Sequence, residues 1–220
     1  MGTASAVVAS GKTLTVNAST LTNVAAAFTF TGSANETNGY LNITGGSGND
    51  VIVGGGAADT INGGAGNDTI TGAKGADVMT GGLGDDTFIY TNSYETGVVS
   101  QAIIYYGGSV DEGTSISVTA MDKIIGFTTG DQINTNSGAP YTTTTNVVGG
   151  TWTDVAGLLT GTYDATAQTF VFSADGVDTL FVWDWSGTDT SGNDLHAVVL
   201  VGYLDGNEST MSTGLTGNAA

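Results

Sequence analysis

The chain has 220 residues, with 21 acidic against 3 basic side chains, a formal net charge of -18, 36 glycines, one proline and no cysteine. Such a charge repels nucleic acid and anionic membrane surfaces and favours cationic partners, while the lack of cysteine excludes disulfides and thiolate metal sites. The longest apolar runs, such as Ala197 to Val201, are far too short for a transmembrane segment, and no N-terminal export signal is recognised.

In chain order, "LTVNAS", "FTFTGS" and "LNITGG" come first. They alternate apolar and small polar residues at the period of a strand and end in turn formers. Leu14, Val16, Phe28, Phe30, Leu41 and Ile43 are the expected inward residues. Residues 1–44 therefore read as N-terminal β coils capping whatever stack follows.

A nine-residue period begins at Gly45, and five units run without a gap: "GGSGNDVIV", "GGGAADTIN", "GGAGNDTIT", "GAKGADVMT" and "GGLGDDTFI". The sixth position is always aspartate (Asp50, Asp59, Asp68, Asp77, Asp86), and the eighth is always large and apolar (Ile52, Ile61, Ile70, Met79, Phe88). A flexible linker would hold neither column in phase. Six residues rich in glycine can turn with positive φ and expose backbone carbonyls inside the bend. Three residues then form a short strand whose middle side chain points opposite to its neighbours. One unit cannot bury that side chain alone, but stacked units can, as two parallel sheets with turns along both edges.

This run, residues 45–90, resembles the RTX (repeats-in-toxin) family, whose signature is glycine-glycine-x-glycine-x-aspartate-x-apolar-x. It departs from that signature at Ala57 and Ala73, each in place of a glycine. The resemblance implies an all-β fold, a parallel β-roll (β-helix) whose nonapeptides bind calcium. Calcium suits the residues, since it takes six to eight hard oxygen ligands from carboxylates and backbone carbonyls. Zinc does not, because His196 is the only histidine. The candidate ligand set is Gly45, Gly46, Ser47, Gly48, Asn49 and Asp50; Gly54, Gly55, Gly56 and Asp59; Gly63, Gly64, Ala65, Gly66, Asn67 and Asp68; Gly72, Lys74, Gly75 and Asp77; and Gly81, Gly82, Leu83, Gly84 and Asp86. In the roll of this family one coil is two nonamers, which would pair Asp50 with Asp68, Asp59 with Asp77 and Asp68 with Asp86 and hold about three ions or more. On that pairing Asp68 is the one aspartate with an in-phase neighbour on both sides.

Beyond Tyr90, "MDKIIGFTTGDQIN" (Met121 to Asn134) is similar to the Asp-x-Ile-x-x-Phe stretch that follows the roll in many RTX proteins, serralysin-like proteases among them. "WTDVAGLLTG" (Trp152 to Gly161) is expected to form a short helix. "QTFVFSADGVDTLFVWDWSG" reads as two strands joined by a turn at Asp175-Gly176, and "NDLHAVVLVGYLDG" as a last strand. Residues 91–220 are thus expected to form a β-sandwich-like C-terminal cap, the secretion-associated region of such proteins.

Catalysis finds no support in these residues. The metalloprotease motif needs two histidines, and the acids outside the repeats are too scattered to nominate a glycosidase pair. The chain therefore reads as a noncatalytic calcium-binding module. The resemblance implies export through type I secretion machinery and folding on extracellular calcium, as part of a secreted or bacterial cell-surface protein. The alternatives are calcium-dependent self-association in a surface layer, or an adhesin or lectin binding cell-surface polysaccharide through Trp183 and Trp185. The acidic loop with Asp184, Asp189, Asn193 and Asp194 matches no calcium template and reads as a solvated turn.

Overall fold

The computed structural model describes residues 8–33, 39–90, 115–128, 131–135, 156–173, 175–184, 195–203 and 215–217. Their regular structure is all β. In chain order the strands are β1 (Thr13–Asn17), β2 (Thr29–Thr31), β3 (Tyr40–Thr44), β4 (Val51–Val53), β5 (Thr60–Ala65), β6 (Thr69–Thr71), β7 (Val78–Leu83) and β8 (Thr87–Tyr90). Then come β9 (Ser115–Ser117), β10 (Asp122–Ile125), β11 (Gln132–Thr135), β12 (Ala156–Asp164), β13 (Thr169–Phe172), β14 (Asp178–Asp184), β15 (Leu195–Val201) and β16 (Leu215–Gly217).

From β1 to β8 the chain winds as a parallel β-roll, with odd strands in one sheet and even strands in the other. The six-stranded sheet is ordered β16-β11-β8-β6-β4-β2, and the ten-stranded sheet β1-β3-β5-β7-β10-β15-β14-β12-β13-β9. Parallel register places the eighth position of each nonamer over that of the nonamer two units away. One column runs Val16, Ile43, Ile61, Met79, Ile124, Leu200, and the other Phe30, Ile52, Ile70, Phe88, Ile133. The five nonamer residues in these columns are fully buried, each contributing about 1.5–3 kcal/mol relative to exposure. The leading coils join the stack as expected: Leu41 and Ile43 lie in the core, with Leu14, Phe28 and Phe30 packed against it.

Strand length departs from the three-residue expectation at β5 and β7, six residues each, which run on into the glycines of the next unit and pair there, Gly64 with Gly82 and Ala65 with Leu83. Glycine permits this because no side chain has to be placed on either face.

The roll does not stop at Tyr90. After residues 91–114, β10 pairs parallel with β7 and β11 with β8, which adds one more coil. β15 then pairs parallel with β10, and β14, β12, β13 and β9 continue the larger sheet in antiparallel order. This half of the sheet is covered on both faces. Phe181, Val198 and Leu200 point into the roll core, while Leu180, Val182, Ala197 and Val199 join Ile116, Val118, Met121, Leu159, Phe170 and Phe172 in a second core.

Two expectations for this region are corrected. The described part of Trp152 to Gly161 is strand and not helix: residues 156–161 pair antiparallel with β14, and β13 takes up the other side of β12 from Gly161 on. A short apolar run such as "VAGLL" is ambiguous between the two states, and the antiparallel partners decide it. The strands on either side of Asp175-Gly176 exist, but they do not pair with one another, because β12 lies between them. The acidic loop with Asp189, Asn193 and Asp194, and Trp185 with it, lie outside the described residues. Among those that are described, no helix is long and apolar enough to cross a membrane.

Candidate metal centre

The glycine turns line the two edges of the roll. Turns 45–50, 63–68 and 81–86 lead into β4, β6 and β8 along the first edge, and turns 54–59 and 72–77 lead into β5 and β7 along the second. Each turn ends on its aspartate, and all five aspartates are buried, none more than 2% exposed.

The aspartates form two hydrogen-bonded ladders. On the first edge the Phe28 N–H donates to Asp50 Oδ1 at 2.7 Å, the Asp50 N–H to Asp68 Oδ1 at 2.8 Å, and the Asp68 N–H to Asp86 Oδ1 at 2.9 Å. On the second edge the Leu41 N–H donates to Asp59 Oδ1 at 2.8 Å and the Asp59 N–H to Asp77 Oδ1 at 2.7 Å. The three aspartate pairs expected from the eighteen-residue coil are thus brought together. Phe28 and Leu41 occupy the aspartate position of the leading coils and end both ladders with an apolar residue. A lesser ladder flanks the first edge, the Asn67 N–H donating to Asn49 Oδ1 at 2.9 Å and the Asp85 N–H to Asn67 Oδ1 at 3.1 Å.

Both ladders run past the nonamers. The Asp77 N–H donates to Asp122 Oδ1 at 2.8 Å, and the Asp86 N–H to Asp131 Oδ1 at 2.9 Å. The repeat pattern nominates neither Asp122 nor Asp131. Their signal was the Asp-x-Ile spacing in "MDKII" and "GDQIN", which places an aspartate and an inward residue in phase without a glycine turn before them. Asp68 is therefore not alone in being flanked: Asp86 stands between Asp68 and Asp131, and Asp77 between Asp59 and Asp122.

The second carboxylate oxygen divides the turns into two kinds. In the first two turns it accepts the second glycine's N–H, Gly46 to Asp50 Oδ2 and Gly55 to Asp59 Oδ2, both at 2.6 Å. In the next three turns the second and fourth residues take positive φ: Gly64 and Gly66, Ala73 and Gly75, Gly82 and Gly84. There Asp68 Oδ2, Asp77 Oδ2 and Asp86 Oδ2 are buried without a hydrogen-bond partner. Each lies over the first glycine of its own turn, where a Cβ on Gly63, Gly72 or Gly81 would collide with it. Glycine at position one is therefore room for a carboxylate oxygen. At the far end of the first ladder Asp131 Oδ2 accepts the Thr128 N–H at 2.8 Å and its hydroxyl at 3.2 Å.

Burial pushes the Asp68 carboxyl up to about 6, against the hydrogen bond from the Asp50 backbone, and the carboxylates of Asp86 and Asp50 add to the rise. Asp77 is pushed up by burial first and by the Asp122 carboxylate next. Asp86 is raised in the same way, by burial and then by Asp131 and Asp85 against the Asp68 backbone hydrogen bond. Stacked, desolvated carboxylates disfavour one another's charge.

A buried carboxylate oxygen with no partner is costly, and a hard cation that binds oxygen relieves that cost. Among the described residues no group of three or more His, Cys, Asp and Glu side chains is placed to hold one metal ion together. A cation here would take one or two aspartate oxygens and complete its shell from turn carbonyls, which is calcium's chemistry and not zinc's. At the third positions Lys74 and Leu83 are exposed, so only their main chain could contribute. His196 is buried within β15 at 2% exposure, as a strand residue should be.

The positive-φ glycines give a direct test of the turn geometry. Gly82 sits at φ 122, with the Gly64 carbonyl where a Cβ would go, whereas Gly126 sits at φ 71 with nothing within 4 Å. Gly82→Ala is expected to destabilise by about 3 kcal/mol or more, and Gly126→Ala by about 1 kcal/mol. Thermal melts in calcium check this, and equal losses would contradict it.

A parallel β-roll with buried aspartate ladders along its edges is the architecture of a repeat protein. The family model of the RTX calcium-binding nonapeptide repeat matches residues 42–70 and 53–88. No curated protein matches the chain in sequence. Among solved structures it is similar to a subunit of the mannuronan C5-epimerase of Azotobacter vinelandii, at 22% identity and a TM-score of 0.45, covering 89% of this chain and 82% of that one.

Proposed function

We propose that the chain is a noncatalytic calcium-binding module that stays unfolded where calcium is scarce, leaves the cell through type I secretion machinery, and folds on extracellular calcium as part of a secreted or cell-surface protein. The observation that carries this is the set of buried, unpartnered oxygens Asp68 Oδ2, Asp77 Oδ2 and Asp86 Oδ2 in turns of positive φ. The residues that would hold calcium are these aspartates with the main-chain oxygens of turns 63–68, 72–77 and 81–86. The two hydrogen-bonded turns, 45–50 and 54–59, would serve more weakly. Asp131 carries the first ladder one residue further. When bound, calcium supplies the positive charge that lets carboxylates stack a coil apart.

The energetics favour dependence on the ion. With 36 glycines the chain gives up much backbone entropy on folding, and a net charge of -18 opposes compaction. A site held at about ten times its dissociation constant adds about 1.4 kcal/mol, and several such sites together offset the deficit. The three-part division, with coils over 1–44, calcium repeats over 45–90 and a secretion-associated cap over 91–220, belongs to the same proposal.

Far-UV circular dichroism with chelator and with millimolar calcium tests it. The expected result is a coil spectrum in chelator that converts to β on adding calcium, with magnesium ineffective at the same concentration. A chain equally folded in both conditions would sink the reading.

A further inference from the structure

The two ends of the roll are unlike. At the C-terminal end both inward columns finish fully buried, at Leu200 and Ile133, where β14 and β16 extend the two sheets further. At the N-terminal end the same columns finish half-buried, at Val16 and Phe30, each in register with a buried residue, Ile43 at 1% and Ile52 at 0% exposure. Among the described residues β1 and β2 are the outermost strands of their sheets on this side. The half-buried Phe28 and Phe30 rings stack on one another at 6.4 Å, and the turn between β1 and β2 leaves Leu21 at 42% and Val24 at 76% exposure.

Both strands also offer main chain. The Tyr40 N–H donates to the Lys12 carbonyl and the Ala18 N–H to the Thr44 carbonyl, which turns the even-numbered residues of β1 toward β3 and leaves the backbone groups of Thr13, Thr15 and Asn17 facing away from it. In the same way the Val51 N–H donates to the Phe28 carbonyl and the Gly32 N–H to the Val53 carbonyl, so Thr29 and Thr31 face away from β4. Neither strand contains a charged residue or a proline, the usual guards of an exposed edge. Every acidic residue of the chain lies at Glu36 or beyond, and the only charged side chain before it is Lys12. Two copies of a chain of net charge -18 meet with least repulsion through such an end.

The shape of this end selects its occupant. It presents two strand edges at the spacing of packed sheets, about 10 Å, and a single extended peptide would cover one of them. A second copy turned about a two-fold axis covers both at once. We propose that the open N-terminal end of the roll is a homodimer interface, in which β1 pairs antiparallel with β1 of the second copy and β2 with β2. Each sheet then runs on from one roll into the other, enclosing Val16, Phe28 and Phe30, and the isologous contact closes at two chains. The interface exists only in the folded roll, so it rests on the calcium reading above. One coil offers a small area, which sets a weak dimer that dissociates in the micromolar range.

The test is sedimentation equilibrium of the full chain in millimolar calcium and in chelator, for the parent, Thr15→Pro and Thr29→Pro. Proline at either position deletes an N–H that the roll itself does not use. The calcium midpoint by circular dichroism is therefore expected to stay within about twofold of the parent, while the dimer dissociation constant rises about tenfold or more. Where a proline variant folds poorly, Thr15→Cys decides. In a chain without cysteine a disulfide forms only between copies, and an antiparallel β1 pair centred on Thr15 brings those residues opposite one another. Non-reducing electrophoresis is expected to show a disulfide dimer for Thr15→Cys in calcium and little for Val177→Cys, which is 52% exposed in the turn before β14. A parent that stays monomeric in calcium overturns the proposal. So do a dimer unaffected by folded proline variants, equal cross-linking at the two cysteine positions, and growth beyond two chains. A parent folded and dimeric in chelator as well would refute the calcium reading and leave the dimer standing.

Discussion

Acidifying the calcium-free chain from pH 7 to about pH 4 is expected to raise its folded fraction, whereas acidifying the calcium-loaded chain over the same range is expected to weaken it. Asp68 has its carboxyl held up at about 6 in the fold against an ordinary 3.8, with burial the main cause. A folded-state pKa above the unfolded one means that the fold binds more protons between those values. The stabilisation is complete below 3.8 and is lost as the pH rises through about 6. Asp86 and Asp77, raised by burial and neighbouring carboxylates, act in the same direction. Solvent screening at the edge of the roll keeps the contribution of Asp68 below the full equivalent of its shift, about 1.4 kcal/mol per unit of pKa. With calcium present the sign reverses, because protons compete for the same Oδ2 oxygens and release the ion. Circular dichroism in chelator and in calcium, scanned across pH, reads both limbs. No gain of β signal on acidifying the calcium-free chain would mean that the buried carboxylates do not govern its folding.

The second large effect is expected from single aspartates. Asp68→Ala and Asp86→Ala should raise the calcium midpoint to similar degrees, and both by more than Asp50→Ala. Asp68 stands between Asp50 and Asp86, and Asp86 between Asp68 and Asp131. Either alanine removes a ladder acceptor and an unpartnered Oδ2 at once. Asp50 ends the ladder against Phe28, and its Oδ2 is already bonded to the Gly46 N–H. Loss of two shared sites is worth about 3 kcal/mol when calcium is about ten times the dissociation constant, against about half that for one. Isothermal titration and melting in fixed calcium would check the ranking. Equal losses at all three positions would dissolve the distinction between the two kinds of turn.

Much of the roll is legible in the sequence because its period is written in two columns, aspartate and apolar, that physics requires for separate reasons. Spacing alone puts Ile52, Ile61, Ile70, Met79 and Phe88 inside, and strand alternation does the same for Leu41 and Ile43; all seven are buried. Asp122 and Asp131 escape because the long departure after Tyr90 interrupts the period, and pattern reading has no means of resuming phase across it. The two kinds of turn are not legible either. "GGSGND" and "GGAGND" are nearly the same string, yet Gly46 donates to its aspartate while Gly64 has swung to φ 114. What differs is the neighbouring coil, and Gly64 packs over the Gly46 carbonyl. Ala57 and Ala73 do mark departures. Ala73 adopts φ 71, a strained value for a residue with a Cβ, while Ala57 sits in a turn of ordinary φ. The strand at Ala156–Asp164 escapes because its pairing partners lie elsewhere in the chain.

The spacing of the ladder bonds sets an order of assembly. Every ladder bond between nonamer aspartates joins residues 18 apart, whereas Asp77 to Asp122 and Asp86 to Asp131 each span 45. Closing the longer loop costs about 0.8 kcal/mol more in chain entropy, roughly a fourfold difference in closing probability. The coils through Tyr90 can therefore zip one upon the next, each using its predecessor as a template, before β10 and β11 return to seal the end. Loop entropy thus favours a short-step zipper followed by one long reach, with the far ends of both ladders the last parts to close.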